Sequence, residues 1–189
     1  VDGFIDNFLR KFTIIALALI TTSAFLDGIP VLSNYIPFID NNIIFSLSIA
    51  LFFTIVFIYN LYLLTFAKPY KSDIGVLLQT SNQITIITAF FVLLLTIILL
   101  KPHFPVSEYY EYLFWGFGHI LQFSYCYLLM HAWLKLCDYQ TRFPKTLTII
   151  TLMHGLFAML GIIYFMTPDI NSYKLFFTEH MSYISVAPT

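Results

Sequence analysis

Long apolar runs separated by short polar breaks organise this chain. The runs cover roughly residues 12–37, 43–66, 75–100, 109–136 and 146–166. Each meets the requirement of about 20 apolar residues to cross a hydrocarbon core about 30 Å thick. Barrel strands cannot account for them, because such strands alternate apolar and polar residues and are far shorter. The breaks hold helix-interrupting residues: Lys68-Pro69-Tyr70-Lys71, Lys101-Pro102-His103-Phe104-Pro105, Arg142-Phe143-Pro144-Lys145 and Thr167-Pro168-Asp169. The first run is the least regular. Asp27, Gly28 and Pro30 interrupt it, which predicts a helix ending near Phe25 and an outer loop or short interfacial helix over residues 27–40. Pro37 and Asp40-Asn41-Asn42 then open the second span. Residues 175–189 read as the opening of a further helix. The pattern therefore predicts an all-α fold, a polytopic transmembrane helical bundle of five spans plus the start of a sixth. No linker divides it, so residues 1–189 are expected to form a single transmembrane domain. The first residue is not Met and the sixth helix is cut short, which reads as an incomplete segment of a larger membrane protein. A complete five-span protein is the alternative.

Composition agrees with the pattern. Of 189 residues, 59% are hydrophobic and only 10% charged, far too apolar for a soluble domain of this length. A net charge of −1 gives no electrostatic case for nucleic acid as a partner. The few basic residues are placed asymmetrically. Arg10, Lys11, Lys68, Lys71, Lys135, Arg142 and Lys145 fall on one side of the expected bundle, against Lys101 and Lys174 on the other. By the positive-inside rule the amino end and the second and fourth connections face the cytoplasm. The expected location is a bacterial inner (cytoplasmic) membrane, with the lipid bilayer and other helices or subunits of a membrane complex as partners.

Candidate chemistry concentrates in the fourth span, where Phe114-Trp115-Gly116-Phe117-Gly118-His119-Ile120-Leu121-Gln122-Phe123 puts a histidine deep in an apolar run. With this orientation His119 lies roughly 15 Å in from the outer start of its helix at 1.5 Å per residue. An ionisable residue at that depth is a site hypothesis by default. Gly116 and Gly118 remove bulk where a large planar group or a neighbouring helix approaches. Two readings stand side by side: a metal ligand, or a packing residue satisfied by a carbonyl or hydroxyl. Trp115, His119, Gln122, Phe123, Cys126 and Met130 share one surface at helical spacing. Cys126 and Cys137 are too far apart on one helix to form a disulfide and read as small apolar side chains.

The remaining histidines divide by depth. His131 and His154 fall near the cytoplasmic ends of consecutive antiparallel helices, where facing imidazoles suit Fe, Cu or Zn; capping or snorkelling near the interface is the alternative. His180, in Phe177-Thr178-Glu179-His180-Met181, lies on the same side as His119 and is its better partner, or belongs to an amphipathic helix start. His103 is a loop residue. The third span opens with Gln79, Thr80, Ser81, Asn82, Gln83, Thr85 and Thr88. Such a face either lines a hydrated path or hydrogen-bonds between helices, the second being the simpler reading. Nucleophilic triads, phosphate-binding glycine loops and cysteine-based zinc spacings are absent.

Phe-Trp-x-Phe-Gly-His, early in a helix running from outside to inside, resembles the sixth helix of catalytic subunit I in the heme-copper oxidase superfamily. There the histidine after an aromatic-Gly pair ligates the copper of the oxygen-reducing centre. Asn34-Tyr35-Ile36-Pro37-Phe38-Ile39-Asp40, followed by an apolar span, resembles a divergent branch of the same superfamily. The resemblance implies that the five spans correspond to helices three to seven. It implies a respiratory-type membrane oxidoreductase reducing oxygen or nitric oxide, with heme and copper as cofactors and a quinol or cytochrome as electron donor. His119 would then be a metal ligand, with His180 beside it, Trp115 and Gln122 would shape the cofactor pocket, and His131 and His154 would be further cofactor-binding candidates. The protein would supply ligands and orientation while the cofactors supply the redox chemistry. The chain departs from the pattern in three respects. The family's adjacent histidines on the seventh helix are represented only by His154, in Leu152-Met153-His154-Gly155. Phe123 stands where a cross-linked tyrosine follows the copper ligand, and the heme-holding helices two and ten lie beyond this segment. The competing expectation is a non-catalytic helical membrane subunit or transporter-like bundle in which His119 packs.

Overall fold

The computed structural model describes residues 3–31, 37–66, 74–100, 104–137 and 170–180, with positions 146, 149, 182 and 183 besides. In chain order the elements are α1 (Gly3–Ser23), β1 (Ile29–Val31), β2 (Phe38–Asp40), α2 (Ile43–Phe66), α3 (Ile74–Leu99), α4 (Val106–Leu136) and α5 (Ile170–His180). The second and third apolar runs thus become α2 and α3 almost residue for residue. All of α2, and Gly75–Leu99 of α3, are long and apolar enough to cross a membrane. With 24 residues, α2 is about 36 Å long at 1.5 Å per residue. The 31 residues of α4 make it about 46 Å long, well beyond a hydrocarbon core. The fifth expected span, 146–166, lies outside the described residues apart from positions 146 and 149.

The segment expected to be a loop or interfacial helix instead contains a short antiparallel ribbon, pairing Ile29 with Asp40, Pro30 with Ile39 and Val31 with Phe38. Extended backbone suits β-branched Ile29, Val31 and Ile39. Pro30, which has no N–H to donate, is tolerated on a two-stranded ribbon because every strand there is an edge. Gly28 is required at the approach: a Cβ there would overlap the Ile39 side chain and sit 3.1 Å from Asn42 Cβ. Asn41 turns the chain with a φ of 57°, a left-handed conformation that Asn tolerates better than most residues.

Asn42 then joins two helices. Its Oδ1 accepts from the Phe45 N–H at 2.9 Å, and its Nδ2 donates to the Ser23 carbonyl at 2.9 Å. One buried side chain thus satisfies an orphan donor at the start of α2 and adds a second hydrogen bond to the Ser23 carbonyl at the end of α1, which also accepts from the Leu26 N–H at 3.0 Å. The ribbon is seated by Phe38, stacked on Tyr110 at 4.1 Å between ring centroids and edge-on to Phe45 at 5.2 Å. Beside it the Tyr110 hydroxyl donates to Asp40 Oδ1 at 2.8 Å.

The helices pack in serial order: α1 on α2, α2 on α3, α3 on α4 and α4 on α5. The main core lies where the ribbon, α3, α4 and α5 meet, and includes Phe38, Phe45, Val92, Phe114, Phe117, Ile120, Tyr173 and Phe177. Phe117 bridges α4 to α2 through Phe53 (5.3 Å) and to α3 through Phe90 (5.2 Å). A smaller cluster of Leu9, Ala16 and Ile55 joins α1 to α2. Hydroxyls in the apolar helices are satisfied locally: Thr13, Ser48, Thr54 and Thr96 each donate to the carbonyl four residues earlier. This back-bonding lets polar residues sit in an apolar helix without an external partner.

Candidate functional site around His119

Ten residues of α4 are buried: Leu113, Phe114, Gly116, Phe117, Gly118, His119, Ile120, Phe123, Ser124 and Tyr127. Of the face drawn from the sequence (Trp115, His119, Gln122, Phe123, Cys126 and Met130), His119 and Phe123 are among them. The line Phe117–Ile120–Ser124–Tyr127 carries the contact with α3. Trp115, Gln122, Cys126 and Met130 are only half-buried.

His119 itself is 3% exposed. Its Nδ1 lies 2.9 Å from the Trp115 carbonyl oxygen. A carbonyl can only accept, so Nδ1 carries the proton, and in the neutral ring Nε2 holds the lone pair. The imidazole stands 5.0 Å from the Trp115 ring and 6.3 Å from Phe177, between centroids.

The neighbour beside this turn of α4 is α5. Tyr173 and Phe177, four residues apart, share one helical face and are both buried. The Gly116 N–H donates to Tyr173 Oη at 3.1 Å, and that hydroxyl lies 3.5 Å from Thr96 Oγ1 on α3. A Cβ on Gly116 would overlap Tyr173 Oη and stand 3.0 Å from both Phe177 Cε2 and Val92 Cγ1. Gly116 is therefore a notch for a helix of the same chain. One turn earlier, Lys174 Nζ pairs with Glu111 Oε1 at 2.5 Å. The ammonium also stands 4.3 Å above the Trp115 ring and 5.0 Å above Tyr112. Trp115 Nε1 donates to the Lys174 carbonyl at 3.2 Å.

These observations bear on whether a prosthetic group fits. The space next to Gly116 that a planar group would need is filled by Tyr173 and Phe177. Among the described residues, no three His, Cys, Asp or Glu side chains gather as a ligand set. Beside Gly116, among the described residues, the neighbour of the His119 turn is thus α5 itself.

The other expected site residues are scattered. His131 is half-buried on α4, twelve residues or about 18 Å along the helix from His119. His154 and His103 lie outside the described residues. His180 closes α5 three residues after Phe177, and its side chain lies outside the described residues. Gln122 Oε1 is buried with no hydrogen-bond partner among the described residues. Cys126 is a half-buried free thiol and Cys137 an exposed one. Sequence reasoning passed over Glu111, Tyr173, Lys174 and Phe177. The only signal was the Tyr173–Phe177 spacing, since nothing local pairs residues 63 positions apart such as Glu111 and Lys174.

The polar face of α3 is turned inward. Ser81, Asn82, Gln83, Thr85 and Thr88 are all buried. Ser124 Oγ on α4 donates to Asn82 Oδ1 at 2.5 Å, Thr85 Oγ1 donates to the Ser81 carbonyl at 2.8 Å, and the Tyr127 hydroxyl hydrogen-bonds with Thr85. These side chains join two helices, as interhelical polar residues do in membranes.

Comparison with known proteins adds one relative. "Uncharacterized protein RP382" of Rickettsia prowazekii (strain Madrid E) is 30% identical over 192 residues, covering 94% of this chain and 37% of that protein. The chain thus spans a little over a third of the length of the curated relative it matches. No family model matches, and no solved structure matches significantly.

Proposed function

We propose that this chain is a membrane-embedded helical module with a non-catalytic role, a five-span bundle that packs as a unit within a larger membrane protein or complex. The observation that carries this reading is the occupation of Gly116 by Tyr173. The feature most suggestive of a cofactor, a glycine notch beside a buried histidine, is filled by the chain's own α5. The burial of the α3 polar face supports the same reading, because the Asn82–Ser124 and Thr85–Tyr127 hydrogen bonds join α3 to α4. Exposed Leu47, Ile58, Leu61, Leu94, Ile97 and Ile98 on α2 and α3 suit contact with lipid chains or with further helices. In this reading His119 is a packing residue that neutralises its own donor on Trp115, and the basic residues keep the amino end in the cytoplasm of a bacterial inner membrane.

A second reading, an oxidoreductase related to the heme-copper superfamily, draws support from one detail. A histidine whose Nδ1 donates to a backbone carbonyl presents Nε2 in the tautomer that metal-bound histidines use. The protein purified in detergent separates the two. The packing reading expects no Soret absorption and no stoichiometric copper or iron. A heme spectrum, or one metal per chain that His119→Ala abolishes, would establish the oxidoreductase reading in its place.

A further inference from the structure

The ribbon end of the bundle exposes more apolar surface than a connection facing water carries. We infer that the β1–β2 ribbon and its flanking turns form an interfacial foot, seated in the headgroup layer of the adjacent leaflet. The inference rests on the membrane-embedded reading above and names the lipid surface as partner. Phe25 is 85% exposed and Ile43 74%, and Leu26, Ile29 and Ile44 are exposed as well. Connections in water favour Gly, Pro, Asn, Asp and Ser, so these five large apolar side chains ask for another cover. They are not free to turn inward, because the backbone that carries them is fixed. The Phe25 and Leu26 N–H groups donate to the Thr22 and Ser23 carbonyls at 3.1 and 3.0 Å, and Asn42 ties Ser23 to Phe45. Val31 and Phe38 already fill the inward side of the ribbon. Two features identify the cover. Ile43 opens an exposed side of α2 that continues through Leu47, Ile58 and Leu61 at helical spacing, on a helix apolar enough to cross a membrane. The foot is thus continuous with a surface that suits acyl chains. At the same level Tyr109, Tyr110 and Tyr112 open α4, and Tyr110 is joined to Asp40 of the ribbon. Tyrosines gather at the headgroup level, where ring and hydroxyl each find their own environment. Asp27 and Asn41 are exposed among the apolar residues. A headgroup layer solvates such groups, whereas the core of a protein–protein interface is depleted of charge. With Tyr110 at the boundary, His119 lies nine residues deeper, about 14 Å at 1.5 Å per residue.

Nitroxide labels on the protein in lipid vesicles test the foot. Cys126 and Cys137 are replaced by serine, and Phe25→Cys, Ile29→Cys and Thr54→Cys are labelled one at a time in vesicles of phosphatidylethanolamine and phosphatidylglycerol. Collision with oxygen, which concentrates in hydrocarbon, is compared with collision with a nickel chelate confined to water. Thr54, exposed near the middle of α2, reports on the membrane reading itself; its label is expected to meet oxygen and exclude nickel. Labels at positions 25 and 29 are expected to meet nickel several-fold less than on the unfolded chain in water, at headgroup depth and shallower than position 54. Nickel access at positions 25 and 29 equal to that of the unfolded chain, with position 54 still shielded, would overturn the foot and leave the membrane reading standing. Shielding of positions 25 and 29 from oxygen and nickel alike would also overturn it, because protein would then be the cover. Free nickel access at position 54 would remove the membrane reading and the foot with it.

Discussion

Replacing Gly116 with alanine sets two physical effects against each other at one position. Alanine favours a helix over glycine by up to about 1 kcal/mol, so on an open face of α4 the change would stabilise. Position 116 is not open. The new methyl would overlap Tyr173 Oη and press Phe177 and Val92 at 3.0 Å. A tyrosine hydroxyl at the end of a free side chain could swing away at little cost, but this one is held. Tyr173 is buried, lies 3.5 Å from Thr96 Oγ1, and its ring packs edge-on against Phe177 at 4.9 Å. Overpacking such a site costs about 1–3 kcal/mol, and the lost Gly116–Tyr173 hydrogen bond adds about 1 kcal/mol. After the propensity gain, Gly116→Ala should destabilise by about 1–3 kcal/mol, a fall in Tm of roughly 2–10 °C for a chain of this size. The second arm is Tyr173→Phe, which removes the obstructing oxygen. Alone it should cost about 1 kcal/mol for its hydrogen bonds. Combined with Gly116→Ala it should cost less than the sum of the two, by more than the roughly 0.5 kcal/mol within which independent sites add. Thermal unfolding of the four proteins in detergent, followed by circular dichroism, gives the cycle. A Gly116→Ala protein as stable as the parent, or additive effects in the double variant, would refute the notch.

Further outcomes follow from other contacts. Asn42→Ala should destabilise by about 1–2 kcal/mol, since it strips a cap from the start of α2 and removes one of the two hydrogen bonds that the Ser23 carbonyl accepts; Asn42→Asp should recover only the α2 cap, because a carboxylate cannot donate to Ser23. Ser124→Ala should cost about 0.6 kcal/mol and no more than about 2, the range for interhelical hydrogen bonds in membranes, whereas a loss of transport or conduction without a stability change would point to a hydrated path along α3. Tyr110→Phe should loosen the ribbon without disturbing α4, read as faster proteolysis between residues 29 and 40 with unchanged helical content, because it removes the hydrogen bond to Asp40 but keeps the stacked ring under Phe38.

Helix positions were legible in the sequence because length and apolarity dictate them. A chain segment of some 24 apolar residues has few ways to satisfy its backbone except as a helix, and α2 and α3 sit where that argument puts them. Asn42 was legible as a helix start for the same local reason, since a side-chain acceptor before an apolar run is what an orphan N–H requires. The ribbon was not. Its pairing of Ile29 with Asp40 depends on a register between residues eleven apart, set by Phe38 finding Tyr110 and Phe114 on a helix some 70 positions later. The part of α4 that its neighbours bury was only partly legible. Residues at helical spacing included the buried His119 and Phe123, but burial is decided by neighbours, and α3 also covers Phe117 and Ile120.

The same reasoning applies to the histidine motif. Phe114-Trp115-Gly116-Phe117-Gly118-His119 puts two gaps in a bulky helix, and a gap is a statement about what approaches, not about what it is. A prosthetic group and a tyrosine on a neighbouring helix both require an absent side chain at position 116. They differ in what they ask of the rest of the chain. A metal or heme needs several donors converging from different helices, whereas Tyr173 needs only a hydroxyl partner and an aromatic neighbour. Gly116 N–H, Thr96 and Phe177 supply these. His119 fits that second arrangement as well, since its proton is taken by Trp115 on its own helix and its ring is flanked by Trp115 and Phe177. A donor on a buried histidine that is satisfied within one turn orients the ring, and an oriented ring beside an aromatic pair is a packing surface. The burden on a metal reading is thus to find its further ligands along the same depth of the bundle, and His131, three turns away on the same helix, is not one of them.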